Sequence, residues 1–170
     1  MWASVATGCI GELPLVMWAG RTLRASGGLG VGICNGFRIL CESGLLPGAW
    51  MRNTGLKYVC KPVQVRVENA ETPFTGTCRQ GDVLTIPIGH MEGNYFCDQA
   101  TLAELKRNQQ IVFRYCSSAG EITPAANPNG PLDNIAGNCS PGRNVLGLLP
   151  PPAPPSDPQP GGTDALRSLE

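Results

Sequence analysis

Histidine is almost missing from this chain of 170 residues, which holds one, His90. Proton transfer near neutral pH therefore has a single imidazole to draw on, unless carboxylates or thiols with displaced pKa values take its place. Net charge is missing too. The 13 Lys and Arg balance the 13 Asp and Glu, and no segment gathers the basic residues into a stripe, which argues against nucleic acid as a partner. Long apolar runs are also lacking: residues 13–19 fall well short of the ~20 residues that cross a bilayer, and no basic region precedes them. Neither a membrane helix nor a signal peptide is expected.

Cysteine is plentiful, but paired spacing is not. The eight cysteines stand at Cys9, Cys34, Cys41, Cys60, Cys78, Cys97, Cys116 and Cys139, with no CxxC among them. A zinc site or a redox pair has no support, and no feature asks for a metal. Thiols scattered between strand-like runs fit buried free cysteines of a reducing cytoplasm better than a disulfide scaffold.

The remaining pattern is that of one α/β domain with two poorly organised ends. Leu29, Val31 and Ile33 alternate with glycines after Gly27-Gly28 and read as a short strand; Phe37, Leu40 and Cys41 then fall at helical spacing until Gly44. Further strands are expected over residues 58–69, 83–88, 111–116, 135–137 and 144–149, with a helix over 98–108 and a turn at Asn127-Pro128-Asn129-Gly130. Residues 1–28 show no clean period. Residues 150–160 include seven prolines and favour an extended course. The expected division is a divergent N-terminal segment at 1–28, a domain at 29–149 and a Pro-rich segment at 150–170.

The stretch Gly30-Val31-Gly32-Ile33-Cys34-Asn35-Gly36-Phe37 carries the chemistry. A strand that turns sharply into a helix, with small residues at Gly32 and Gly36, would lift Cys34 above the sheet at a helix N-terminus. There the helix end lowers a thiol's pKa, and the N–H of Asn35 is the natural first oxyanion donor. The competing reading is a glycine-rich strand end with a buried thiol. Arg38 and Lys57 could steer an anionic group, although both read more simply as solvated surface charges.

With its flanks, this stretch resembles the class I glutamine amidotransferases, and the longer run from Gly32 to Leu40 is similar to the glutaminase component of phosphoribosylformylglycinamidine synthase. Gly44-Leu45-Leu46-Pro47-Gly48, Arg52-Asn53, Val67-Glu68-Asn69, the segment from Pro87 to Tyr95, Asn134-Ile135-Ala136-Gly137 and Gly161-Gly162-Thr163-Asp164 continue the likeness over residues 29–164. The resemblance implies a three-layer, flavodoxin-like sheet whose first strands are missing or divergent here. It implies that Cys34 attacks the side-chain amide of glutamine and that the ammonia passes to a synthetase subunit, which uses ATP, alongside a small accessory subunit. No cofactor is implied in this chain, and the location implied is cytoplasmic.

Two departures from the family pattern stand out. The family's His-Pro-Glu triplet follows the strand ending Leu-Gly-Leu-Met-Pro; here Leu146-Gly147-Leu148-Leu149-Pro150 leads into Pro151-Pro152-Ala153, so that Pro151 takes the histidine position and Ala153 the glutamate position. Neither carries a proton. The family's opening Gly-Ser-Asn-Cys-Asp loop, and the Gly-Gly loop that supplies a second oxyanion donor, have no counterpart in residues 1–26. His90 matches the family's His-x-Glu-Gly segment, a loop implied to lie near the site and the partner. It is expected to bond a backbone carbonyl rather than replace the missing base, and Glu92 and Asn94 are expected to shape the same loop. The readings left open are an impaired glutaminase, a non-catalytic module that docks on the synthetase through residues 90–95, and a cysteine used for other chemistry.

Overall fold

The computed structural model describes residues 25–149 together with Thr22. The expected segments 1–28, apart from those residues, and 150–170 lie outside it, as do Pro151 and Ala153. The described residues contain strands β1 (Gly30–Ile33), β2 (Ala49–Met51), β3 (Val59–Val67), β4 (Val83–His90), β5 (Asn94–Phe96), β6 (Ile111–Cys116), β7 (Ile135–Cys139) and β8 (Val145–Leu148). Helices α1 (Asn35–Glu42) and α2 (Gln99–Arg107) and two short 3-10 turns complete them.

Six strands form one sheet in the order β1-β8-β7-β6-β3-β4, and β2 pairs with β5 in a separate ribbon. Only β1 and β8 run parallel; the other neighbours are antiparallel. The sheet is thus mixed rather than wholly parallel. Among the described residues β1 is an edge strand, paired on one side by β8 in the register Ile33↔Leu148.

Residues that alternate along the strands feed two apolar clusters on opposite faces. Val145 of β8 joins Phe37, Cys41 and Leu46 of the α1 region with Leu102 and Leu105 of α2, whereas Leu146 and Leu148 join Val65, Val67, Ile86, Phe113 and Tyr115. Close approach of α1 to the sheet depends on Gly147: a Cβ there would run into the Phe37 ring and sit 2.7 Å from Leu46. Helix α2 begins where Asp98 accepts a 2.7 Å bond from Thr101 N, and Lys106 and Arg107 occupy its last turn, where cations suit the helix dipole.

The β2–β5 ribbon was not legible in the sequence. Its inward pair, Trp50 and Tyr95, packs on Phe37, with Phe37–Trp50 centroids 4.9 Å apart edge to face and Phe37–Tyr95 stacked at 5.7 Å. Tyr95 donates to the Pro47 carbonyl at 2.7 Å and accepts from Asn138 Nδ2 at 2.9 Å. The ribbon thereby ties α1 to the central strand β7.

Candidate active site

From the pairing pattern, β1, β8, β6 and β4 all point the same way. Their carboxyl ends share one edge, the place where open α/β sheets bind ligands. That edge collects Cys34, which follows β1; Leu149, which follows β8; Tyr115, near the end of β6; and His90, at the end of β4.

Cys34 stands between strand and helix with φ 53° and ψ −111°, a conformation that side chains rarely adopt. Its amide N–H donates to the Leu148 carbonyl at 2.8 Å, which anchors the turn to β8, and its carbonyl accepts from Phe37 N at 3.0 Å and Arg38 N at 3.3 Å, which begins α1. Gly32 allows the turn: a Cβ there would meet the Leu40 side chain and lie 2.6 Å from the Gly36 carbonyl oxygen. Gly36 is buried beneath the elbow. The expected strand, sharp turn and helix are found over residues 30–42.

Burial pushes the Cys34 thiol above its ordinary pKa, and the Asn35 backbone N–H opposes that shift by favouring the thiolate. The sequence led to the opposite net direction. A helix terminus favours the anion, yet at this half-buried sulfur the loss of water outweighs it. At neutral pH the free sulfur is a thiol in need of a base.

His90 ends β4 beside the β4–β5 loop, where its ring meets the side-chain amide of Asn129, not the backbone carbonyl expected of it. Gly93 fits closely beside that ring, since a Cβ at Gly93 would strike both the imidazole and Asn129. The ring is 5 % exposed, and burial pulls its pKa down to about 4, so it is neutral and a weak base. The His90 carbonyl accepts from Asn53 Nδ2 at 2.9 Å, while Asn53 Oδ1 takes the Gly93 N–H at 2.8 Å. One buried asparagine therefore closes both sides of the loop.

The Arg38 side chain is solvent-exposed, as expected of it, and is also paired. From the first turns of α1 it pairs with Glu42 through Nε at 2.7 Å and with Glu92 through Nη1, so that α1 and the β4–β5 loop are joined. Lys57 is exposed, as expected of it. Asn94 sits in the ribbon opposite Met51 rather than in the loop. Of the seven cysteines described, Cys41, Cys97, Cys116 and Cys139 are buried, while Cys60 is exposed and Cys34 and Cys78 are intermediate; all are free. The expectation of buried thiols thus holds for four of them and fails at Cys60. Among the described residues no group of three or more His, Cys, Asp or Glu side chains could hold a metal ion, and no helix is long and apolar enough to cross a membrane.

A mixed sheet with a strained cysteine elbow at the carboxyl edge fits the glutamine amidotransferase class, and comparison with known proteins shows that class. Residues 19–156 match the family model of the CobB/CobQ-like glutamine amidotransferase domain. The chain is 58 % identical over 164 residues to phosphoribosylformylglycinamidine synthase subunit PurQ of Koribacter versatilis, covering 96 % of this chain and 71 % of the relative. It is 50 % identical over 163 residues to the PurQ subunit of Gloeobacter violaceus, covering 96 % and 70 %. The solved structure of PurLQS from Thermotoga maritima superposes with a TM-score of 0.71 at 32 % identity, over 91 % of this chain and 66 % of that one. The chain belongs to the PurQ family of phosphoribosylformylglycinamidine synthase glutaminase subunits, in purine biosynthesis, and has the class I glutamine amidotransferase fold.

Proposed function

We propose that this chain binds the side-chain amide of glutamine at Cys34 as the glutaminase subunit of a phosphoribosylformylglycinamidine synthase, and that proton transfer at this site is impaired. The single observation that carries the reading is the strained elbow of Cys34 at the carboxyl edge. In the reaction, the sulfur attacks the amide carbon, the C–N bond breaks and ammonia leaves with the thiol's proton. Water then cleaves the thioester to glutamate. The Asn35 N–H supports the oxyanion of each tetrahedral intermediate.

That sequence needs a group to take the thiol proton and deliver it to the departing nitrogen. Pro151 and Ala153 occupy the positions where the family carries His and Glu, and the ring of His90 is engaged by Asn129 and is a weak base. The partner is a synthetase subunit, by likeness to the Thermotoga maritima assembly, with a small accessory subunit beside it. ATP is consumed by that partner, and this chain needs no cofactor of its own. The setting is cytoplasmic.

The test uses a diazo ketone analogue of glutamine, which alkylates an amidotransferase nucleophile, alongside an assay of ammonia release. Labelling of Cys34 without ammonia release from glutamine is the expected result. Ammonia release at the rate of an intact relative would overturn the impairment, and failure to label Cys34 would overturn its role.

A second reading, a non-catalytic module docking on the synthetase through residues 90–95, is favoured by the outward face of this region. Met51, Met91 and Phe96 are 51 %, 47 % and 50 % exposed there. Copurification with the synthetase with Cys34 unlabelled would select it.

A further inference from the structure

Asparagine followed by glycine occurs twice in the chain, at Asn35-Gly36 and at Asn129-Gly130. In such a pair the glycine nitrogen is able to attack the asparagine side-chain carbonyl, since glycine has no Cβ to obstruct the approach. The fold treats the two pairs in opposite ways. Asn129 is fully buried: its side chain is held against His90, its carbonyl accepts from Thr54 N at 3.0 Å, and the Gly130 N–H is committed to Asn127 Oδ1 at 2.8 Å. Asn35 opens α1, is exposed, and its side chain has no hydrogen-bond partner among the described residues. The Gly36 N–H is equally unengaged there, as first-turn amides of a helix are. Cys34 is the residue before, and its carbonyl accepts from Phe37 N and Arg38 N in the same turn.

We infer that Asn35 is a deamidation site, and that its conversion places a carboxylate beside Cys34 and slows the reactions of that sulfur. The Gly36 nitrogen bonds to the Asn35 side-chain carbonyl carbon and the amide C–N bond breaks, so that ammonia leaves with the Gly36 proton and a succinimide ring remains. Water then opens the ring. Opening at the side-chain carbonyl gives aspartate; opening at the main-chain carbonyl gives isoaspartate, which inserts a methylene into the backbone at the start of α1. A water is consumed for each ammonia released, and no other reactant is needed. Either product sets a negative charge next to the thiolate, where like charges oppose ionisation. The same charge suits a helix N-terminus, so the aspartate form keeps its fold.

The inference goes beyond the glutaminase reading, because deamidation and alkylation are both read without glutamine. The full-length protein is aged in mildly alkaline buffer, treated briefly with iodoacetamide and digested with trypsin; peptides 25–38 and 115–143 carry the two pairs, and fragmentation locates the altered residue. Asn35 is expected to deamidate at least about tenfold faster than Asn129, which must first be exposed by local opening. In the same tube, the deamidated form of peptide 25–38 is expected to have been alkylated at Cys34 about threefold to tenfold more slowly at about pH 8 than the intact form. Unfolded in urea, the two pairs should deamidate at comparable rates, because the contrast belongs to the fold. Asn35→Asp is expected to melt at or above the wild-type temperature, with its alkylation profile displaced to higher pH. Deamidation of Asn129 ahead of Asn35, an Asn35 that stays intact, or equal alkylation of the two forms would overturn the inference. Should Asn35→Asp fail to fold, the comparison within the aged wild type still decides. Failure of the glutamine analogue to label a Cys34 that shows this contrast would overturn only the glutaminase reading.

Discussion

Gly32 carries more of the site than its lack of a side chain suggests. The Gly36 carbonyl carbon and oxygen would lie 2.7 Å and 2.6 Å from a Cβ at this position, and both belong to backbone that cannot retreat without shifting α1. Gly32→Ala is therefore expected to destabilise the fold by about 2–3 kcal/mol and to lower the reactivity of Cys34, as urea titration and alkylation rates would show. His90 makes a separate prediction. Its pKa falls from 6.5 to about 4 on folding, so the folded state favours the neutral ring. The associated stability is present in full above pH 6.5 and is lost as pH falls toward 4, amounting to about 3 kcal/mol. His90→Gln should flatten the urea midpoint across that window; an unchanged slope would mean that the ring is charged or exposed in the folded protein.

At the scale of elements, legibility follows length and spacing. β6 was expected over residues 111–116 and is Ile111–Cys116, and α2 lies within the expected 98–108, because an apolar run and a capped amphipathic stretch announce themselves locally. β2 and β5 are three residues each, too short for an alternation to emerge, and their pairing joins positions such as Trp50 and Tyr95 that only the fold brings together. The site divides in the same way. Cys34, Asn35 and the flanking glycines are contiguous and were readable. The Arg38–Glu92 pair links residues 54 apart in sequence, which no local pattern announces. The ribbon has a measurable consequence. Tyr95→Phe leaves the Pro47 carbonyl and Asn138 Nδ2 without their shared hydroxyl, and is expected to cost about 1–3 kcal/mol in chemical denaturation. A neutral result would mean that water replaces the phenol.

For the whole molecule, the question is whether the elbow alone suffices for catalysis. On the proposed reading Cys34 and Asn35 would supply a nucleophile and one oxyanion donor, while β1 has a strand on one side only among the described residues and residues 1–26 hold no Gly-Gly pair. That reading superposes two deficits: no base for the thiol and one donor in place of two. The double variant Pro151→His with Ala153→Glu addresses the first and leaves the second. It is expected to remain about 10²–10³-fold slower in ammonia release than an intact relative, the typical consequence of one lost oxyanion donor. Supplying a family-like N-terminal segment in the same variant should recover most of that factor. Full activity from the double variant alone would show that the second donor comes from elsewhere in the chain, and activity from neither would place the defect in the seating of Cys34 itself.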